Sequence, residues 1–186
     1  MPEDALAPPD AAAWRAWLAE HHADSAGVWL VTAKKGATGV GRDDALEEAL
    51  CHGWIDGQAR SRDDATYLQR YTPRRSRSTW SQRNVKIVER LTREGRMHPA
   101  GIAEVERAKA DGRWEAAYPG SATIEVPADL EEALKAEPEA QAMFERLNRQ
   151  NRYSVLYRIE TAKRAETRQR RIEKYVAMLA RGETIY

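Results

Sequence analysis

Three arginines immediately precede a predicted helix start, an arrangement that could bind an anion. Arg74, Arg75 and Arg77 stand just before Ser78, which we predict to cap a helix running to about Arg93. The first turn of a helix presents free N–H groups at the positive end of its dipole, and guanidinium groups are forked donors for phosphate or carboxylate. These residues therefore predict an anion-binding site at the start of this helix.

Other residues of the same region are expected to complete this anion-binding site. Arg70 lies in the strand before it, and Lys34 and Lys35 end an earlier strand that could face it. The alternative is a solvated basic surface whose arginines pair with Glu47, Glu48 or other acidic residues of the N-terminal segment. Aromatic and amide side chains are predicted to form a wall beside the anion, namely Trp54, Tyr67, Gln69 and Trp80.

The charge of the chain is unevenly distributed. Residues 57–99 contain eleven Lys or Arg and four Asp or Glu, a net charge of +7, whereas residues 1–56 contain four bases and ten acids, a net charge of −6. Residues 100–186 hold fifteen charges of each sign, so the overall charge of +1 conceals a cationic middle, residues 57–99, which we call the cationic segment. Such an asymmetry indicates either an anionic partner or an internal acid–base contact, and it does not specify a fold.

A thiol, an imidazole and a carboxylate occur close together in the sequence, at Cys51, His52 and Asp56. They could form a nucleophilic site, but adjacent residues of a helix point about 100° apart, so Cys51 and His52 do not naturally face each other. We favour a buried small hydrophobic residue at Cys51, a surface histidine at His52 and an aspartate that binds turn amides at Asp56. Asp56 is the catalytic candidate: it could orient Arg70 and, with Tyr67, serve an enzyme acting on a small phosphorylated or carboxylated substrate.

Nucleic-acid binding is a second alternative. Basic residues of the cationic segment interleave with Tyr67, Tyr71 and Trp80, whose rings could stack on bases. The sequence contains no RNP, KH, zinc-finger or P-loop pattern, and its isoelectric point of about 7.9 is modest for a nucleic-acid-binding domain. This alternative therefore ranks below an anionic small molecule or an acidic partner.

Cysteine content and hydropathy argue against several classes of protein. The single cysteine excludes an intrachain disulfide and suits a reducing compartment. The histidines show neither the i, i+4 pair of a helical zinc motif nor a Cys-x-x-Cys partner, so no metal and no cofactor are predicted. No secretory signal is visible, and no apolar stretch approaches the roughly 18 residues that span a bilayer. We expect a soluble, cytoplasmic protein that does not insert into membranes.

Periodicity and turn residues predict short strands and helices first and helices alone afterwards. The fold class is therefore α+β, a small antiparallel sheet packed by helices, followed by a helical C-terminal half. We expect an α+β region with the basic hairpin–helix segment at 1–120 and a helical region at 121–186, packed as one globular unit. The predicted elements are strands at 27–34, 54–60 and 66–72 and helices that begin near Asp10, Asp44, Ser78, Pro99 and Pro127.

Several long strings of this sequence resemble the YdeI/OmpD-associated family, also called bacteriocin-protection proteins. The resemblance covers nearly all of the chain from about Trp14. Similar sequences often have an aromatic residue where this chain has His52, and usually proline where it has Ala165. The strings are ALCHGWIDG at 49–57, YLQRYTPRRSRSTWS at 67–81, MHPAGIAEVERAKADGRW at 97–114 and, resembling the OmdA-type C-terminal segment, TAKRAETRQRRIEK at 161–174 and MLARGE at 178–183.

The resemblance implies a cellular context and no reaction. It connects the chain with stress response, with tolerance of bacteriocins and cationic antimicrobial peptides, and with an outer-membrane porin, and it brings no established cofactor or catalytic residue. Because no export signal is visible, we expect any effect on a porin to be indirect. Our first hypothesis is a non-catalytic bacterial protein that binds an anionic small molecule or an acidic partner.

Overall fold

The structure of the protein, a computed structural model, describes residues 4–186. Within this range it contains eight helices and three strands, which confirms the α+β class, and each strand agrees with its predicted range to within one residue at either end. In chain order the elements are α1 Ala11–His21, β1 Val28–Ala33, α2 Arg42–Cys51, β2 Trp54–Ser61, β3 Thr66–Pro73, α3 Gln82–Arg93, α4 Pro99–Ala110, α5 Ala128–Lys135, α6 Pro138–Arg146, α7 Arg149–Glu160 and α8 Ala165–Ala180.

The chain forms two compact units, Met1–Ala117 (unit 1) and Tyr118–Tyr186 (unit 2). Unit 1 contains the sheet and α1 to α4, and unit 2 contains α5 to α8. Each helix of unit 2 contributes apolar residues to one core, because residues three or four apart share a helix face. The buried residues of this core include Leu130, Leu134, Phe144, Leu156, Ile172 and Leu179.

A break separates the last two helices although the chain has no proline there. Helix α7 ends at Glu160 and α8 begins at Ala165, so the connection spans four residues.

None of the helices in residues 4–186 combines the length and the apolar character that crossing a bilayer requires.

The sheet of unit 1 is antiparallel with strand order β1-β3-β2. Because side chains alternate along a strand, each strand divides its residues between two faces. The face that packs against α1 and α2, called the inner face, carries Leu30, Thr32, Trp54, Asp56, Tyr67, Gln69 and Tyr71. The opposite face, called the outer face, carries Trp29, Val31, Ala33, Ile55, Arg60, Leu68, Arg70 and Thr72.

A β-bulge interrupts the pairing of β2 with β3. Asp56 pairs with Tyr71 and Ala59 with Gln69, so two residues of β2 stand opposite one of β3. The side-chain amide of Gln69 donates hydrogen bonds to the carbonyl oxygens of Gly57 and Gln58, at 2.9 Å and 3.2 Å. The buried Gln69 therefore satisfies backbone groups that the bulge removes from the ladder.

Helix α2 lies at the centre of unit 1, between two apolar clusters. Ala45 and Ala49 belong to the cluster formed with α1 and the inner face of the sheet. Leu46 and Leu50 belong to a second cluster, formed with α3 and α4. A helix that is buried on opposite sides must place its charged residues where partners can meet them.

Candidate functional site

The side chain of Arg74 points into the protein. It is 5% exposed, and its guanidinium carbon lies 3.6 Å from the ring centroid of Trp80, which is itself buried. Its Nη1 also donates a hydrogen bond of 3.1 Å to the carbonyl oxygen of Thr79. Because the planar cation stacks on a core indole, Arg74 contributes to the packing of unit 1.

Arg75 and Arg77 are exposed in a tight turn that ends at Ser78. The Ser78 hydroxyl accepts a hydrogen bond from the backbone N–H of Arg75, and the Ser78 N–H donates to the Arg75 carbonyl, both at 2.9 Å. This hydroxyl closes the turn, whereas the cap of α3 is Ser81, whose side chain accepts from the N–H of Asn84. The predicted helix start beside these arginines is therefore wrong by three residues. Either serine has the chemistry of a cap, so sequence could not choose between them.

Lys34 and Lys35 lie at the opposite end of the sheet from Arg74. Lys34 follows Ala33, which pairs with Thr66, the first residue of β3, whereas Arg74 follows the last residue of that strand. The seven residue steps along β3 correspond to roughly 23 Å. The lysines and the arginines therefore do not converge on one anion, contrary to prediction.

The predicted aromatic and polar wall is divided among separate environments. Trp54 is buried against α1 and α2, and Trp80 is buried in the other cluster, against α3 and α4. Gln69 is buried at the bulge, and Tyr67 is half-buried beside Thr32. Burial raises the pKa of the Tyr67 hydroxyl, which favours its neutral form.

Acidic residues of α2 neutralise part of the cationic segment. The Glu48 carboxylate, 2% exposed, accepts hydrogen bonds of 2.6 Å and 2.7 Å from Arg15 and one of 2.6 Å from Arg96. Arg96 also contacts Glu47 at 3.0 Å, and Glu47 accepts a further hydrogen bond from Arg90. The internal acid–base contact that the charge distribution indicated is therefore present.

The two arginines decide the ionisation of Glu48. Burial acts to raise the pKa of this carboxyl, because a charge loses hydration inside a protein. The hydrogen bonds and charges of Arg15 and Arg96 outweigh that effect, so the pKa of Glu48 is lowered. Glu48 is accordingly an ionised carboxylate at neutral pH, held between two guanidinium groups.

The outer face of the sheet combines an aromatic ring with two arginines. The guanidinium carbons of Arg60 and Arg70 lie 4.5 Å and 5.9 Å from the ring centroid of Trp29. Arg60 is exposed, whereas Trp29 and Arg70 are half-buried. None of the strand residues that form this face is acidic. Two cations are thus held close to one ring with no carboxylate of the sheet between them.

The sequence assigns Arg70 to an anion site, whereas it does not assign Trp29 or Arg60 to that site. Alternation along each strand contained part of the signal, because it assigns each residue to one of two faces. The register that pairs Trp29 with Arg70 and Arg60 with Leu68 was needed to bring the three side chains onto the same surface.

Asp56 and Arg70 lie on opposite faces of the sheet. Asp56 pairs with Tyr71, the neighbour of Arg70 along β3, so the Asp56 side chain shares the inner face with Tyr71 and Tyr67. The suggestion that Asp56 orients Arg70 is therefore wrong. Its carboxylate, half-buried, acts electrostatically on the hydroxyls of Tyr67 and Tyr71 instead.

Cys51 and His52 do not form a nucleophile–base pair. Cys51 is 1% exposed, and burial raises the pKa of its thiol to about 11. The Nδ1 of His52 lies 2.9 Å from the carbonyl oxygen of Glu48, so the ring is tied to its own helix. His52 is also buried, which corrects the expectation of a surface histidine.

The Cys51 thiol is expected to be unreactive in the native protein. A buried thiol with a raised pKa presents almost no thiolate at pH 7.5, and the thiolate is the nucleophile. Labelling with an aromatic disulfide reagent should be at least about a hundredfold slower in buffer than in 6 M guanidinium chloride. Comparable rates in the two solutions would show that Cys51 is accessible and activated.

Two family models match this sequence in separate ranges. Residues 6–104 match a family described as Domain of unknown function (DUF8412). Residues 123–182 match OmdA, described as Bacteriocin-protection, YdeI or OmpD-Associated, which confirms the family resemblance for this range. No curated protein and no solved structure matches the chain.

Proposed function

This chain belongs to the DUF8412 family, whose model covers residues 6–104, and we propose that it is a non-catalytic protein that binds an anionic ligand or partner on the outer face of its sheet. The OmdA match at residues 123–182 supplies bacteriocin protection as the cellular context. Binding is assigned to unit 1, which holds the cationic segment.

The observation that carries this proposal is the grouping of Arg60 and Arg70 around Trp29. A guanidinium group stacked on an indole keeps its N–H donors in the plane of the cation, where they can bond a carboxylate or phosphate. The ring also restricts the rotamers of both arginines, so less entropy is lost when an anion binds.

Other cations of the segment have different roles in the structure. Arg90 and Arg96 bond the carboxylates of α2, and Arg83 contacts Asp43 at 2.7 Å. Arg74 is buried on Trp80. The outer face therefore supports anion binding better than the turn before α3, where sequence analysis had placed the site.

Replacing both outer-face arginines, as Arg60→Gln with Arg70→Gln, is expected to weaken polyanion binding at least about tenfold. Each guanidinium supplies charge-assisted hydrogen bonds, and glutamine keeps much of the side-chain length without the charge. Binding is measured as the salt concentration that elutes the protein from heparin and as quenching of intrinsic fluorescence by inorganic pyrophosphate. The Trp29→Phe variant should lose most of the pyrophosphate-induced quenching.

A matched control comes from the turn before α3. Arg75→Gln with Arg77→Gln removes the same charge from two exposed arginines outside the sheet and should leave most of the affinity. If this control loses binding while the outer-face variant retains it, the anion site lies at the turn. If the native protein binds neither heparin nor pyrophosphate at low salt, the proposed function is wrong.

A further inference from the structure

Three histidines from distant parts of the sequence converge in unit 1. His22 follows α1, His52 follows α2, and His98 precedes α4. Their ring centroids are separated by 5.7 Å for His22 and His52, 4.6 Å for His22 and His98, and 4.9 Å for His52 and His98. We call this group the histidine junction, because it joins the ends of three helices.

Backbone groups determine which nitrogen of each ring carries a proton. The Nδ1 atoms of His22 and His52 each lie 2.9 Å from the carbonyl oxygen of the residue four positions earlier, and a carbonyl can only accept, so both Nδ1 atoms carry hydrogen. The Nδ1 of His98 accepts a hydrogen bond from the backbone N–H of Ala100 at 3.2 Å, so it carries none. His98 is the side-chain cap of α4, and it can accept this hydrogen bond only in its neutral form.

Few carboxylates are available to stabilise additional positive charge at the junction. Glu48 from α2 acts electrostatically on His52, but its carboxylate is already held by Arg15 of α1 and by Arg96. Glu104 of α4 lies against Gly53, the residue after His52, and its carboxylate pairs with Arg107. Among residues 4–186, no group of three or more His, Cys, Asp or Glu is placed to hold a metal ion.

The neighbouring structure would respond to a change at the junction. The carbonyl oxygen of His22 accepts a hydrogen bond from the indole of Trp54, the first residue of β2. The carbonyl oxygen of Cys51 accepts one from the N–H of His98. Helix α4 also approaches α2 closely at Gly101, so these contacts connect α1, α2, β2 and α4.

We propose that His22, His52 and His98 form a proton-sensitive junction that loosens the packing of α4 against α2 in mildly acidic solution. Protonation places like charges on rings less than 6 Å apart, of which His52 is buried and His22 and His98 are half-buried. A proton on Nδ1 of His98 also removes the acceptor for the Ala100 N–H, so α4 loses its cap.

The direction of the pH effect on stability follows from the pKa shifts of His52 and His98. Burial lowers the pKa of His52, and the charges of His98 and His22 act in the same direction. Burial also lowers the pKa of His98, with a smaller contribution from His22. Since the unfolded chain binds protons at a higher pH than the folded protein, stability is complete above about pH 6.5 and falls as the pH drops through the folded pKa values.

The experiment compares melting temperatures of the full chain between pH 7.5 and pH 5.5. The native protein should lose several degrees over this range, and the variant His52→Gln with His98→Asn should lose less than half as much. Asparagine is a good helix cap, so this variant keeps a cap on α4 while removing two titrating rings. The control His21→Gln removes a neighbouring ring that stacks on Trp17 outside the junction, and its loss should equal that of the native protein.

A proton NMR titration of the unmodified protein tests the proposal without any variant. The pKa values of His52 and His98 should both lie below the ordinary histidine value of about 6.5. Resonances of α4, followed by amide hydrogen exchange, should lose protection as the pH falls from 7.5 to 5.5. If the pKa values of His52 and His98 are at or above about 6.5, or if the double variant shows the same pH dependence as the native protein, the junction does not sense protons.

Discussion

Replacing Gly101 by alanine is expected to destabilise unit 1 by about 3 kcal/mol, although alanine is intrinsically the better helix former by about 1 kcal/mol. A Cβ atom at this position would lie 2.1 Å from the carbonyl oxygen of Cys51 and 2.8 Å from its carbonyl carbon. Both atoms are backbone at the end of α2, so no side chain can rotate away. Helix α4 would have to move outward and give up part of the apolar cluster that it shares with α2 and α3.

Urea unfolding monitored by circular dichroism measures this loss as a lower midpoint of the unit 1 transition. Gly57→Ala is the matched control within unit 1, because an added Cβ there meets no atom closer than 3.7 Å and the substitution is the same. The control should change stability by less than about 0.5 kcal/mol. A Gly101→Ala protein as stable as the native one would mean that α2 and α4 do not approach as closely as the structure indicates.

Replacing Glu48 by glutamine is expected to cost about 2–4 kcal/mol, because it leaves two guanidinium groups without their shared carboxylate. The Glu48 side chain is 2% exposed, so water cannot readily replace the lost partner, although Arg15 and Arg96 are themselves partly exposed. Thermal or urea unfolding provides the measurement. Glu94→Gln is the control, since that exposed carboxylate contacts Arg90 and Arg96 in the same network and should contribute much less to stability.

The acid limb of the stability curve gives a second measurement for Glu48. The pKa of Glu48 is lowered in the folded protein. Its contribution to the free energy of unfolding is therefore present above the unfolded-state pKa near 4.5 and is lost as the pH falls through the folded-state pKa. Glu48→Gln should therefore flatten the decline below about pH 4.5, whereas the histidine junction begins to act as the pH falls below about 6.5. An unchanged acid limb, or equal losses for Glu48→Gln and Glu94→Gln, would contradict a dominant role for the buried carboxylate.

Helix α2 connects these effects. Glu48 faces Arg15 and Arg96, the Cys51 carbonyl faces Gly101, and the next residue, His52, belongs to the histidine junction. One buried helix of about three turns therefore carries or adjoins the residues that stabilise unit 1, that should respond to pH and that neutralise Arg15 and Arg96. Arg60 and Arg70 lie on the face of the sheet opposite Leu30 and Tyr71, which belong to the cluster with α1 and α2. Replacing these arginines should therefore alter binding with little effect on stability.

Much of the fold could be predicted because its signals are local. β-branched and aromatic residues in short runs predicted the strands, and the turn between Ser61 and Thr66 predicted the hairpin. Tyr67, Gln69 and Tyr71 alternate along β3 and lie on one face of the sheet, as the period of a strand requires. Strings quoted from residues 161–174 and 178–183 predicted the OmdA resemblance, which the family model confirms for residues 123–182.

The partners of individual side chains could not be predicted in the same way. Arg74 was assigned to an anion but stacks on Trp80, and Ser78 was assigned as a helix cap but closes a turn. Arginine at a surface or beside an aromatic ring has the same local sequence signal, and both Ser78 and Ser81 can cap a helix. Burial of Trp80 in the apolar cluster of α2, α3 and α4 is a property of the assembled unit.

The sequence by itself determined the strands, most of the helices, the α+β class and the cationic middle of the chain, since these depend on residues that are near neighbours. Only the tertiary structure decided which charges meet. Glu48 and Arg96 are 48 positions apart, and Trp29 meets Arg60 and Arg70 only through the pairing of three strands. Coulombic and stacking energies depend on the distance between groups in space. Strand register and helix packing set that distance, and separation along the chain does not.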